Sequence, residues 1–161
     1  MSRSTVRTAD LADAAGERLL PCVLPWRSFG GASSFAGSAA TVLCRDDNGL
    51  VRDAVSQPGN GRVLVVDGGG SLGAALVGDV LAGQALRNGW TGLLIHGAVR
   101  DVVALAGLEI GVFALGTNPR RGGASGTGKQ GLAVSFGGVT IRPGSAVYVD
   151  EDGVLVEADA V

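Results

Sequence analysis

Arg62-Val63-Leu64-Val65-Val66-Asp67-Gly68-Gly69-Gly70 is an unbroken apolar run that ends on a carboxylate and a glycine loop. Such a run, rich in β-branched residues and bounded by turn residues, reads as a buried parallel strand covered on both faces. Upstream, Ala39 to Arg45 is a second strand candidate, and Asn48 opens a helix through about Ser56 that Gln57-Pro58-Gly59-Asn60-Gly61 stops. Downstream, Leu72 to Val77 reads as a helical turn, and Asp79 to Arg87 as a helix ended by Asn88-Gly89. Gly92 to His96 is the next buried strand, Val102 to Ala106 a short helix, and Gly111 to Leu115 a further strand. Strand and helix alternate from 39 to 115, which predicts βα units.

The remaining segments differ. Thr8 to Ala15 reads as a short N-terminal helix, and Pro21 to Ser38 as an ordered loop rich in Gly, Ser and aromatics. Leu132 to Phe136, Val139 to Arg142, Ala146 to Val149 and Val154 to Glu157 are closely spaced strands punctuated by Gly137-Gly138, Pro143-Gly144 and Asp150-Glu151-Asp152-Gly153. That spacing predicts antiparallel pairing. Between the two halves, Thr117 to Gly131 is Gly-rich, polar and basic, and is expected to be a mobile surface loop. No internal repeat or linker divides the chain, so residues 1–161 are expected to form a single α/β domain with a mixed sheet.

Composition narrows the function. Apolar residues make up 46% of the 161, aromatics are scarce, and 28 residues are Gly. Val, Leu and Ala must therefore fill the core of a domain with many tight turns. The formal charge is −2 and no basic run exceeds Arg120-Arg121, which argues against a nucleic-acid groove. Cys22 and Cys44 lack metal-ligand spacing and read as buried apolar residues. No apolar stretch approaches a membrane span and no signal region opens the chain, so a cytoplasmic protein is expected.

Candidate chemistry gathers where apolar runs give way to loops, which is where α/β proteins place their ligands. Asp79 follows Leu76-Val77-Gly78, and Arg100-Asp101 closes the run from Leu93 to Val99. Alone, Asp79 reads as a helix N-cap, and Arg100-Asp101 as a surface ion pair or helix start. A carboxylate also holds a hard divalent cation, and an arginine grips a carboxylate or enolate oxygen. The free N–H groups of a helix starting at Asp79, near Val80 and Leu81, suit an anion. Together these residue types suit a metal-assisted reaction on a small keto acid.

Gly68-Gly69-Gly70-Ser71-Leu72-Gly73 matches the GxGxxG pattern, but it lies in mid-chain and no acid ends the next strand. Asp67 also places an anion where a pyrophosphate would lie, so dinucleotide binding is disfavoured. His96 reads as a satisfied core residue, Trp26, Trp90 and Tyr148 as packing groups, and Asp150 to Gly153 as a hairpin turn.

Phe29-Gly30-Gly31, Asp47-Asn48-Gly49-Leu50, Gly61 to Ser71, Gly97-Ala98-Val99-Arg100 and Phe136-Gly137-Gly138-Val139-Thr140 resemble, in order and spacing, the family called regulator of ribonuclease activity A. That family includes class II aldolases acting on 4-hydroxy-4-methyl-2-oxoglutarate and 4-carboxy-4-hydroxy-2-oxoadipate. The resemblance runs from about Thr8 to Val156 and implies a swivelling ββα-type domain assembled as a homotrimer or stacked hexamer, with sites near subunit boundaries. Aldolase members carry an acid, a fixed gap and Arg-Asp; here these are Asp79, residues 80–99, and Arg100-Asp101. By resemblance, Asp101 contacts Mg²⁺ or Mn²⁺ directly, Asp79 acts through bound water, and Arg100 with Gly78, Asp79, Val80 and Leu81 holds the pyruvate part of a 2-keto acid. The pattern departs at Ala104, where aldolases often carry an acid. The resemblance therefore implies a metal-dependent aldolase with oxaloacetate decarboxylase side activity. Its alternative is a non-catalytic regulator that binds a ribonuclease of the RNase E type.

Overall fold

The computed structural model describes residues 5–158. In chain order its elements are α1 (Thr8–Ala15), a 3-10 turn (Gly16–Arg18), β1 (Leu19–Pro21), β2 (Arg27–Ser28), β3 (Phe35–Leu43), α2 (Gly49–Val55), β4 (Val63–Asp67) and β5 (Ala75–Val77). They continue with α3 (Asp79–Arg87), β6 (Gly92–Val99), α4 (Val102–Ala106), β7 (Gly111–Thr117), β8 (Lys129–Gln130), β9 (Val134–Phe136), β10 (Val139–Ile141), β11 (Ala146–Asp150) and β12 (Gly153–Glu157). The result is the mixed α/β domain that the alternation predicts.

One sheet organises it, in the order β1-β12-β11-β3-β4-β6-β7-β2. The centre is parallel: β3 pairs β4, β4 pairs β6, and β6 pairs β7. The flanks are antiparallel, with β11 on β3, β12 on β11, β1 on β12 and β2 on β7. The tail splits as a result: β11 and β12 extend the main sheet, while β9 and β10 form a separate hairpin.

Strand alternation sorts the core into two layers. Leu64, Val66, Leu93 and Ile95 face α2, α3 and α4 with Val51, Val55, Leu81 and Leu105. Val63, Val65 and Leu94 face the other way and meet Phe35, Phe113, Val134, Phe136 and Ile141. Every residue of β4 is buried, as a central parallel strand requires. Phe35 lies across two glycines of neighbouring strands: a Cβ at Gly111 would lie 2.0 Å from its ring and one at Gly92 2.3 Å.

Four expectations change. The segment Pro21 to Ser38, expected as a loop, contains β2 and the start of β3, because Arg27–Ser28 pair with β7 and Phe35 onward pair with β11. Residues 75–77 are a strand, not a helical turn; β5 pairs with the end of β6 after β4 has stopped opposite His96. All three of its residues are buried, and burial favours a paired extended segment over an isolated turn. The strand β6 runs on to Val99 through Gly97-Ala98, with a bulge between Ile95 and Ala98 in its pairing with β7. The segment 117–131 is tied down: Gly122 N–H reaches Ala75, Gly123 N–H reaches Asp46, and Asn48 N–H reaches Gly123. Both cysteines are free and buried, and burial pushes each thiol up to about 12. No helix among the described residues is long and apolar enough to cross a membrane.

Candidate functional site

The parallel strands all point their C-terminal ends at one edge, and the predicted residues lie there. Arg100 follows the last residue of β6, and its N–H donates to Val77 at the end of β5. Asp101 then takes a left-handed conformation (φ 62°, ψ 44°), uncommon for any residue but glycine. That turn swings its carboxylate away from α4, which starts at Val102 without a side-chain cap. Instead Asp101 Oδ2 accepts the Asp79 N–H at 3.2 Å, across to the start of α3.

This reverses the capping role that the sequence suggested. Asp79 is the first helical residue of α3, and Gly78 is the N-cap with no side chain to offer. The capping carboxylate comes from Asp101, twenty-two positions on. Asp79 is left exposed in the first turn, where a negative charge complements the helix dipole. The N–H groups of Val80 and Leu81 lie in the same turn, beyond the reach of intrahelical acceptors.

Gly78 makes the arrangement possible. Its backbone (φ −128°, ψ −164°) is open to any residue, so torsion does not demand glycine. Space does: a Cβ there would sit 2.5 Å from Asp101 Oδ2 and 3.3 Å from Arg100 Cγ. The Arg100 guanidinium is thereby brought to the helix start. Its Nε is 3.9 Å from Asp101 Oδ2, and its Nη1 donates to the Pro119 carbonyl at 3.4 Å. The Arg100 and Asp101 side chains are 36% and 40% exposed, so the ion pair itself adds little stability. It does set the guanidinium and carboxylate side by side, both partly open to solvent.

Gly78, Asp79, Val80, Leu81, Arg100 and Asp101 thus converge on one edge. Among the described residues no group of three or more His, Cys, Asp or Glu clusters as a metal cage. Among the described residues no hydrogen bond reaches Asp101 Oδ1, while Oδ2 caps α3. Exposed hard oxygens of this kind suit Mg²⁺, which retains several waters and takes one or two carboxylates.

The glycine motif behaves as a self-contained loop. Gly68 and Gly70 N–H both donate to the His96 carbonyl, Gly69 N–H to Asp67 Oδ1, Ser71 N–H to Gly68, and Gly73 N–H to Ser71 Oγ. Five of the six amides from Gly68 to Gly73 are thus bonded within the protein, which leaves no cradle of free N–H groups for a pyrophosphate. His96 is satisfied, as expected, but by a partner that sequence reading missed: Nδ1 lies 2.9 Å from Asp67 Oδ1, and the ring stacks on Phe136 at 4.5 Å. The two residues meet because β4 and β6 run parallel with Asp67 opposite His96.

Asp47 was also missed as a structural anchor. Its buried carboxylate accepts N–H groups of Gly49, Ser125 and Gly126 and the Ser125 hydroxyl at 2.6 Å. The Ser125 hydroxyl leads in holding the carboxyl down at about 2, and the backbone donors help it outweigh burial. Asp47 thereby pins residues 123–126 against the start of α2.

A family model described as RraA-like, Aldolase/RraA, matches residues 8–156. Similar solved structures include an S-adenosylmethionine:2-dimethylmenaquinone methyltransferase from Geobacillus kaustophilus, 44% identical over 96% of each chain with a TM-score of 0.93. The RNA-processing inhibitor RraA from Thermus thermophilis is 41% identical over 100% of this chain and 96% of its own, with a TM-score of 0.90. Streptomyces coelicolor RraAS2, of the RNase ES inhibitor RraA protein family, is 27% identical over 93% and 77%, with a TM-score of 0.73.

Proposed function

The chain belongs to the RraA-like family, and from that premise we propose that it is a divalent-metal-dependent lyase releasing pyruvate from small 2-keto acids. Its substrates would be 4-hydroxy-4-methyl-2-oxoglutarate, cleaved by retro-aldol reaction, and oxaloacetate, decarboxylated as a side activity. The observation that carries this reading is the left-handed Asp101, whose carboxylate caps α3 beside Arg100 through one oxygen and leaves the other unbonded among the described residues.

Asp101 would hold Mg²⁺ or Mn²⁺ directly and Asp79 through water, and the bound cation supplies Lewis acidity at the substrate's keto and carboxylate oxygens. In both reactions a carbon–carbon bond breaks and its electrons move onto the keto oxygen, giving an enolate. The Arg100 guanidinium puts positive charge where that oxyanion develops. The Val80 and Leu81 N–H groups orient the substrate carboxylate at the helix start. In the aldol substrate the 4-hydroxyl loses its proton through water ordered by Asp79. Protonation of the enolate carbon then yields pyruvate.

Val80 (73% exposed) follows Asp79, and Val103 (89%) lies on α4 two residues past Asp101. Apolar side chains this exposed at the rim of a polar site support burial against another copy, in a homotrimer or stacked hexamer. A cytoplasmic location fits this chemistry. Purified protein with Mg²⁺ and 4-hydroxy-4-methyl-2-oxoglutarate or oxaloacetate should release pyruvate that EDTA abolishes. Metal-independent release, or none from either substrate, would sink the proposal.

A second reading has its own support. Identity of 41% to an RNA-processing inhibitor over the whole chain, with Ala104 in place of an acid, favours a non-catalytic protein that binds a ribonuclease. Inhibition of an RNase E-type enzyme by the Asp101→Asn variant, together with no pyruvate release by the unaltered protein, would favour this reading. Methyl transfer gains no support from the glycine loop, where five of the six amides from Gly68 to Gly73 are already bonded within the protein.

A further inference from the structure

We propose that Asn118 is a positioning residue for Arg100, an inference that rests on the lyase reading. Asn118 is half-buried at the end of β7, where three segments meet. Its N–H donates to the Val99 carbonyl at 3.1 Å, which ties it to the residue before Arg100. Its Nδ2 donates to the Leu72 carbonyl at 2.7 Å, at the far end of the glycine loop. Its Oδ1 accepts the Arg120 N–H at 2.8 Å and closes a tight turn over Pro119. The Arg120 carbonyl then accepts the Ala75 N–H at 2.7 Å, fastening that turn to β5.

At the centre of this clasp is the Pro119 carbonyl, the backbone acceptor for Arg100 Nη1 at 3.4 Å. Pro119 fixes its own φ and confines Asn118 to extended backbone. The direction of the carbonyl therefore depends on how residues 118 and 120 are held, and the Asn118 amide holds both. Asp101 alone approaches Arg100 Nε no closer than 3.9 Å, too far to orient the guanidinium by hydrogen bonding. A guanidinium on a flexible stem needs such an acceptor to stand ready at a developing oxyanion. Asn118 touches no reacting atom in this scheme and acts only through Pro119 and Arg100.

The test compares Mg²⁺-dependent oxaloacetate turnover in the unaltered protein, Asn118→Ala, Asn118→Asp and a control. Asn118→Asp keeps an acceptor for Arg120 N–H but loses the donor to Leu72. The control is Thr127→Ala, in the same loop, which loses a hydroxyl contact to Ser125 and nothing near Arg100. Both Asn118 variants should lose kcat by on the order of tenfold with KM little changed, and the control should match the parent. Adding Asn118→Ala to Arg100→Ala should cost nothing further, because the effect runs through the guanidinium. An activity-independent readout is the Arg100 Nε–Hε signal in a ¹⁵N NMR spectrum, identified by its loss in Arg100→Lys. It should shift and broaden in both Asn118 variants and stay in place in Thr127→Ala. Full turnover with an unmoved Arg100 signal in Asn118→Ala would overturn the proposal. If the unaltered protein releases no metal-dependent pyruvate, the lyase reading fails by itself. The Arg100 signal then decides the placement: a shift supports it and an unmoved signal overturns it.

Discussion

Replacing Gly78 by alanine isolates the geometry on which the site depends. The backbone there accepts any residue without strain, so the effect must come from the added methyl. That carbon would lie 2.5 Å from Asp101 Oδ2, about 0.9 Å short of ordinary contact distance. The Asp101 carboxylate must withdraw, because the other close neighbour, Arg100 Cγ at 3.3 Å, blocks escape on that side. Withdrawal breaks the bond to the Asp79 N–H, a charge-assisted cap worth about 1 kcal/mol. For a chain of this size that is roughly a 2–4 °C drop in melting temperature. Displacing a reacting group by about 1 Å costs much more in rate, on the order of 10- to 100-fold in kcat/KM. The assay is Mg²⁺-dependent pyruvate release from oxaloacetate, followed by coupled NADH oxidation, beside a thermal melt by circular dichroism. A Gly78→Ala protein with unaltered kcat/KM and unaltered melting would refute the placement of the Asp101 carboxylate against the start of α3.

Other parts of the molecule give independent checks. Thr8 donates both its N–H and its hydroxyl to buried Asp150, so Thr8→Ala should cost about 1–2 kcal/mol, read as a lowered urea midpoint. Burial of Asp150 opposes its ionisation, but donors from Thr8, Asp152 and Gly153 outweigh it and hold the carboxyl below its ordinary value. Asp47 is held at about 2 against an ordinary 3.8. Both groups are depressed, so their stabilisation is complete above about pH 4 and is lost as pH falls through the folded values. Urea midpoints from pH 6 to pH 2 should therefore fall most steeply below about pH 4, and Asp47→Asn should flatten that slope and lower stability near neutrality. An unchanged slope would remove Asp47 from the acid response. Gly111→Ala would drive a methyl to 2.0 Å from the Phe35 ring and should destabilise by about 1–3 kcal/mol or more in the same urea assay.

Much of this was legible along the chain. The buried run at 63–67, the helices at 8–15, 79–87 and 102–106, and the closely spaced C-terminal strands follow from periodicity and turn residues. The miss at Ala75-Leu76-Val77 has a simple cause. Three apolar residues carry no period, and pairing with β6 decides their state. The start of β3 at Phe35 hid among Gly and Ser, because its signal lies in Gly92 and Gly111, whose missing side chains make room for the ring. At the site, residue types at strand ends located Asp79, Arg100 and Asp101. That Asp101, and not Asp79, caps α3 was not legible, because it depends on a left-handed turn at 101 that no local pattern announces. The Asp67–His96 pair, the Asp47 anchor and the Asn118 clasp join residues far apart in sequence, and only strand register brings them together.

The decisive measurement is the initial rate of pyruvate formation from oxaloacetate with Mg²⁺, compared between the unaltered protein and Asp101→Asn, each with and without EDTA. Asparagine tolerates the left-handed turn and still offers an oxygen to the Asp79 N–H, so the fold and the α3 cap should survive. Only the negative charge that would hold the cation is lost. The expected result is EDTA-sensitive pyruvate from the unaltered protein and none above background from a folded Asp101→Asn. Equal rates from the two proteins, or a rate indifferent to EDTA, would contradict metal-assisted chemistry at this carboxylate.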